Sequence, residues 1–195
     1  MSETPLEPFT DGIFYEGNIP LGLKFLSTAP SPQEQMHLAH QNCQILQALL
    51  SMDPMIYDAD DESDLAVHEL VRLDNKLNLL LGMVGKLLAQ VVQMPASVTA
   101  CIGAGAMQFE LSGGQQESIA SHAGESVMLE IFFNPQLLGA VNLIVDLKLK
   151  QGAGAVVTAV ANYQYMDTKV LELLEKYIFR QHRRAIAQAK KSHSD

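Results

Sequence analysis

The chain has no tryptophan, only two cysteines and, in its first half, almost no positive charge. Cys43 and Cys101 are far apart and belong to no ligand-spaced motif, so a zinc site or a disulfide scaffold is not expected. Both thiols read as small buried hydrophobes. No stretch approaches ~18 consecutive apolar residues, so no membrane-spanning helix and no membrane insertion are expected. The N-terminus, Met1-Ser2-Glu3-Thr4-Pro5, lacks the basic and apolar regions of a signal peptide, and a cytoplasmic protein is expected. Residues 1–95 hold 13 acidic against 4 basic side chains and residues 96–195 hold 9 of each, so the net charge of −9 lies in the first half. An acidic chain is a poor partner for phosphate backbones, and no nucleic acid is expected.

Recognisable catalytic chemistry is equally scarce. There is no nucleophile elbow, Walker loop or dinucleotide fingerprint. Gly103-Ala104-Gly105 lacks a third glycine and a following helix, and Gly152-Ala153-Gly154 reads as a hairpin turn. His37 and His40 lie one helical turn apart, but no further ligand falls at metal-binding spacing. The acidic run Asp58, Asp60, Asp61, Glu62, Asp64 lacks the turn glycine of a calcium loop and reads as solvated charge beside a helix N-terminus. No enzyme activity, cofactor or metal is expected.

What is present falls into two halves. Residues 1–30 are punctuated by Pro and Gly, with short strands expected around 13–15 and 21–26. Ser31-Pro32-Gln33-Glu34 has the composition of a helix start, with Ser31 as cap, Pro32 at the first helical position and Glu34 reaching back. That helix is expected to run to about Met52, before Asp53-Pro54. A second helix is expected from Ser63 or Asp64 to about Gln93, on the order of 45 Å long. From Ala96 the pattern becomes β-rich, with strands expected at Ser97–Ile102, Ala106–Leu111, Ser126–Phe133, Ala140–Leu149 and Ala155–Tyr165. No helices are expected between them, and a final helix should run from Asp167 or Thr168 to about Ala189. Val170, Leu171, Leu174 and Ile178 form its apolar stripe. The implied fold class is α+β: a small antiparallel β-barrel with a C-terminal helix over residues 96–195, and a long-helix or coiled-coil hairpin within residues 1–95.

The long helix carries a heptad seam, Leu70, Leu73, Leu77, Leu80, Val84, Leu87 and Val91. The first helix repeats it more weakly through Met36, Cys43, Leu46 and Leu50. Leu81, Met83 and Leu88 widen the apolar face of the long helix beyond what a two-stranded coil covers, which points to a homo-oligomer of higher order, a tetramer, rather than a dimer. The plainer alternative is that this face packs on its own barrel. Gly82 and Gly85 inside the helix suggest a close helix approach.

The segment Cys101-Ile102-Gly103-Ala104-Gly105-Ala106-Met107-Gln108-Phe109, continued through Gly124, Val127–Phe133, Val156–Tyr163 and Lys176-Tyr177-Ile178-Phe179-Arg180-Gln181-His182-Arg183, resembles a PilZ domain. With the added heptad helices it resembles the atypical, tetrameric PilZ proteins. PilZ receptors hold cyclic di-GMP with an R-x-x-x-R element ahead of the barrel and a D/N-x-S-x-x-G element inside it. At the latter's positions this chain has Cys101, Gly103 and Ala106, and no Arg lies between Arg72 and Arg180. Bidentate phosphate and guanine contacts need Arg forks. The resemblance therefore implies a regulatory or adaptor protein that does not bind cyclic di-GMP at the usual site and acts with protein partners in a motility, type IV pilus or virulence pathway. The alternative is a cyclic di-GMP receptor with a displaced site, for which the cluster Arg180, Arg183 and Arg184 is the candidate patch.

Overall fold

The computed structural model describes residues 12–52, 94–111, 113–122, 126–134, 137, 139–151 and 157–192, together with residues 72, 73, 76, 77, 79, 80, 83 and 84. Six strands, β1 (Tyr15–Leu26), β2 (Ser97–Ile102), β3 (Ala106–Leu111), β4 (Ser126–Ile131), β5 (Val141–Gln151) and β6 (Val157–Tyr163), close into an antiparallel barrel in the order β1-β2-β3-β6-β5-β4. Among the described residues, the helices α1 (Pro32–Ser51), α2 (Gly113–Ser121) and α3 (Thr168–Ser192) accompany it. The described residues between 72 and 84 are also helical.

The barrel reaches outside the expected span of residues 96–195, because its sixth strand is β1. The two short strands expected at 13–15 and 21–26 are one continuous strand. Its first half, Tyr15 to Pro20, pairs with β2, and its second half, Leu21 to Leu26, pairs with β4. Pro20 sits where β1 changes partner; lacking an N–H, it is tolerated at such a break in the ladder, and its carbonyl still accepts from the Phe132 amide at 3.1 Å. Alternation builds the barrel interior. Ile19, Leu21, Ala100, Ile102, Met107, Phe109, Leu129, Ile131, Val145, Ala159 and Ala161 point inward and are buried. β2 and β3 have the bounds expected from sequence. β4 stops earlier, at Ile131, and β5 runs later, to Gln151.

A correction concerns α2. Gly113-Gly114 had the composition of a strand break, and no helix was expected between the strands. A nine-residue helix lies there instead, anchored by buried Ile119. Its polar, Gly-rich sequence carries no apolar period, so its formation is decided by packing rather than by propensity.

The helix ends follow local chemistry. Ser31 caps α1 through the full capping box: its Oγ accepts from the Glu34 amide, and the Glu34 carboxylate accepts from the Ser31 amide at 2.8 Å. The Ser31 hydroxyl, which donates to the same carboxylate at 2.7 Å, and after it the Ser31 amide hold the Glu34 carboxyl below its ordinary pKa. Asp167 caps α3, its carboxylate accepting from the amides of Lys169 (2.9 Å) and Val170 (3.3 Å). On α3 the expected stripe is buried at Val170, Leu174 and Ile178, joined by Tyr177. On α1, buried Asn42 acts like an extra strand residue: its Nδ2 donates to the Asn142 carbonyl (2.7 Å) and its Oδ1 accepts from the Asn142 amide (2.8 Å). That pair fixes α1 to the start of β5 and satisfies two backbone groups that the barrel ladder leaves over.

Candidate functional site

The residues singled out for assembly divide into two groups. On α1, Leu46 is fully buried and Leu49 nearly so; Cys43 and Leu50 pack half-buried against the same core, while Met36 is 70% exposed. The expected α1 seam of Met36, Cys43, Leu46 and Leu50 is thus largely spent on the chain's own fold, because the α1 face that carries Leu46 also carries Asn42 and its barrel anchor. On the second helix, Leu73, Leu77, Leu80 and Val84 of the heptad seam are each 47–57% exposed, and Leu79 and Met83 beside them are equally open. The seam residues Leu70, Leu87 and Val91, the flanking Leu81 and Leu88, the glycines Gly82 and Gly85 and the acidic run at 58–64 lie outside the described residues.

Six large apolar side chains exposed within thirteen residues exceed the scattered exposure of an ordinary monomer surface. Fully burying such a side chain is worth roughly 1.5–3 kcal/mol, so covering these half-exposed ones stabilises an assembly by about 1 kcal/mol each.

The residues that the resemblance sets at the PilZ binding element, Cys101, Gly103 and Ala106, lie on the β2–β3 hairpin. Its ladder closes through the Gly103 amide on the Ala106 carbonyl (2.9 Å), and the Gly105 carbonyl accepts from the Tyr163 amide (3.1 Å). Gly103 and Ala106 are buried, so neither offers a side chain to a ligand. Cys101 is half-buried, paired across the sheet with Glu16 and Gln108. Burial, with the Glu16 carboxylate adding to it, pushes its thiol up to about 11, so it stays protonated. Behind it the Tyr163 hydroxyl is buried without a hydrogen-bond partner among the described residues, and its pKa is pushed upward, chiefly by that burial. β2 and β3 contain no Lys or Arg. A bis-phosphate ligand would meet Glu16 and a neutral thiol here rather than a guanidinium.

The three arginines of the C-terminal basic cluster have different surroundings. Arg180 donates from Nη1 to the Leu50 carbonyl at 2.7 Å, placing a cation at the C-terminal end of α1, whose own last turn has none. Arg183 lies 5.8 Å from the centroid of the Phe179 ring, and Arg184 is exposed on the next position of α3. One of the three is therefore committed to holding α1 and α3 together. Sequence spacing groups them, but only the packing of two helices distant in sequence shows that Arg180 caps one of them.

A concavity that the sequence did not signal opens at the barrel rim. The β4–β5 ladder ends at Val127 opposite Val145, while β5 continues beside β6 to Gln151, so the wall parts past that pair. The parting holds a cavity of about 280 Å³ lined by Phe25, His122, Ser126, Asp146, Gln164 and Tyr165 over an apolar floor. His122 stacks on Phe25 at 4.2 Å and 14°, and its Nδ1 is 2.8 Å from the Ser118 carbonyl. Tyr165 is the one non-glycine residue with positive φ among the described residues, at 52°. Such a backbone costs of order 1–3 kcal/mol and is held only when the surroundings impose it. The Gln164 amide, bonded to the Ile144 carbonyl at 2.8 Å, is part of what imposes it.

Among the described residues, no group of His, Cys, Asp and Glu could hold a metal ion, and no helix is long and apolar enough to cross a membrane. No curated protein matches the sequence. The fold is similar to a crystal structure of a pathogenic protein from Xanthomonas campestris, described as a tetrameric PilZ domain self-assembled via an unusual helical bundle. The two share 21% identity over 92% of this chain and 93% of that one, with a TM-score of 0.66. The sequence of residues 46–191 matches the family described as "Atypical PilZ domain, cyclic di-GMP receptor". With the six-stranded barrel and its closing helix, that match over most of the length makes the chain a member of the atypical PilZ domain family, a family of cyclic di-GMP receptors.

Proposed function

We propose that this chain is a non-enzymatic, cytoplasmic PilZ-type regulator that assembles into a homotetramer through the helix at 72–84 and acts as an adaptor in a motility, type IV pilus or virulence pathway. One observation carries the reading: Leu73, Leu77, Leu80 and Val84 keep the heptad spacing of a bundle seam and are all about half exposed or more on the single chain. A helix packed on its own barrel along that seam would bury them. Leu79 and Met83 extend the open face past a two-stranded seam, which favours a bundle of several helices. The similar Xanthomonas campestris protein, itself described as tetrameric and self-assembled via a helical bundle, supports the same state.

In this reading the β2–β3 hairpin does not bind cyclic di-GMP, because Cys101, Gly103 and Ala106 offer none of the polar side chains of the family element and no cation stands nearby on β2 or β3. The family's ligand then has either no place on this chain or another one. Light scattering on the purified chain at tens of micromolar tests the assembly. A mass of four chains is expected, and a monomer would overturn the proposal. Micromolar binding of cyclic di-GMP that is lost on mutating residues 101–106 would overturn the reading of the hairpin.

A further inference from the structure

The barrel wall uses only part of β5. From Val141 to Val145 the strand lies between β4 and β6. From Asp146 to Gln151 it pairs with β6 alone, and among the described residues no strand continues β4 beside it. The register against β6 is unbroken, so the direction of each backbone group can be read along the strand. The Ile144 carbonyl accepts from the Gln164 amide on the β6 side at 2.8 Å, and Asn142, two residues earlier, gives its amide and carbonyl to Asn42. Even-numbered positions of β5 thus turn their backbone groups toward β6, and odd-numbered ones turn away from it. Val145 meets Val127 of β4 on that other side. The amides and carbonyls of Leu147 and Leu149 point the same way and meet no backbone partner among the described residues. They form an open sheet edge. Its side chains sort by face. Lys148, its side chain 69% exposed, and Lys150 stand on the outer face. On the barrel side Leu147 packs half-buried against the core, and Leu149 is 44% exposed. The cavity at the parting adjoins this edge, with Val127, Val145 and Leu147 in its lining.

We infer that the open edge of β5 takes up an extended acidic segment of a partner protein as an added antiparallel strand. Its backbone pairs with Leu147 and Leu149, its acidic side chains stand opposite Lys148 and Lys150, and the apolar ones between them cover Leu147 and Leu149. In this mode the main chain supplies affinity and the alternating side chains supply specificity. Lys148 and Lys150 are the non-hydrogen-bonded positions of this edge, where facing side chains come closest. The one acid among them, Asp146, lies 3.5 Å from Lys148 in an exposed pair that holds its partner weakly. In a chain of net charge −9 the remaining edge is cationic. Lysines on an edge deter pairing with neutral or basic strands. They also deter a second copy: two β5 edges paired antiparallel over their open length set Lys148 opposite Lys148 or Lys150, and like charges so placed are destabilising. An acidic strand turns that penalty into an attraction, so the charge selects the occupant. The inference gives the proposed adaptor a contact surface and rests on that reading for the presence of a protein partner. It is independent of the assembly, since none of these residues lies on the helix at 72–84.

Fluorescence anisotropy on the full-length chain tests it, with a labelled peptide of about eight residues alternating Glu and Val and an analogue with Lys in place of Glu. The Glu peptide is expected to bind at least about tenfold more tightly than the Lys peptide. Lys148→Glu combined with Lys150→Glu should reverse that preference. Both side chains are exposed, so the melting temperature should stay where it is. Hydrogen exchange separates strand addition from a loose ionic contact. The Leu147 and Leu149 amides should exchange freely in the chain alone and at least about tenfold more slowly with saturating Glu peptide. Methylating the peptide nitrogens that face the edge should abolish binding, because it removes the donors of the ladder. No binding of the Glu peptide at millimolar concentration overturns the inference. So does binding that leaves exchange at Leu147 and Leu149 unchanged, or a preference that ignores the double charge reversal. Protection of those two amides in the chain alone overturns it as well, since the edge is then taken by a second copy or by another segment of this chain. Light scattering reads the oligomeric state separately, so failure here leaves the assembly proposal standing.

Discussion

Two helices of this chain carry the same 3-4 apolar spacing and meet opposite fates. On α1, Leu46 and Leu49 sit in the barrel's own core. On the helix at 72–84, Leu73, Leu77, Leu80 and Val84 remain open. The periodicity says that a face will be buried, but it does not say against what. The difference lies in what accompanies the stripe. α1 carries Asn42 on its buried face, and that side chain takes both free backbone groups of Asn142; its C-terminal carbonyl at Leu50 is held by Arg180. These polar contacts have partners only on this chain's barrel and closing helix, so they direct the α1 stripe inward.

The comparison can be broken most forcefully at the open seam. Replacing Leu77 and Val84 together with Asp would place charges in the proposed bundle seam, where unpaired burial is prohibitive. The expected outcome is complete loss of the proposed tetramer in light scattering with the far-ultraviolet β signal retained. An unchanged mass would remove the helix at 72–84 from the interface.

Next in size is the buried stripe. Leu46→Ala and, on α3, Leu174→Ala each leave a cavity in the core and should cost about 2–5 kcal/mol in denaturant unfolding. Neither should change the mass per particle under native conditions. A Leu46→Ala variant that dissociates without losing barrel stability would make α1 a seam after all and erase the contrast.

Smaller again is the anchor. Asn42→Ala strands the amide and carbonyl of Asn142 and should cost roughly 1–3 kcal/mol. Hydrogen exchange at the start of β5 should accelerate in step. Protection there that does not move would show the pair to be incidental to docking.

The smallest expected effect concerns Cys101, which sharpens the contrast between the neutral hairpin and a charged ligand site. Its thiol is raised to about 11 by burial, with Glu16 contributing. Raised above the unfolded value, it favours the folded state while protonated. That contribution is present below about pH 9 and is lost progressively as pH rises toward 11. Iodoacetamide labelling at pH 8 should be slower in the native protein than in urea, converging above pH 11. Equal rates at pH 8 would show a thiolate and a more polar hairpin.

Much of this architecture is legible without coordinates, and the exceptions have physical causes. β2 and β3 flank the Gly103–Gly105 turn and alternate cleanly, and α1 and α3 announce their starts through Ser31 with Glu34 and through Asp167, because capping is local chemistry. Pro20 reads as punctuation in β1, yet the strand passes through it by changing neighbours, which requires a barrel around it. α2 has no signal of its own, since two glycines and a polar run are made helical only by the packing of Ile119. The residues at the PilZ element positions can be picked out from order alone; the rim cavity cannot, because Phe25, His122, Asp146 and Tyr165 come from four separate segments.

By itself the sequence determined which faces are apolar, where the strands and capped helices begin, and that β2 and β3 carry no Lys or Arg. These depend on neighbours within a few residues. Only the tertiary structure decided that residues 15–26 close the barrel, that the α1 stripe turns inward while the one at 72–84 stays open, that Arg180 caps α1, and that the wall parts beside Asp146. Each of these is settled by contacts between segments far apart in the chain, where the free energy of burial and of satisfied backbone groups is summed over the whole fold.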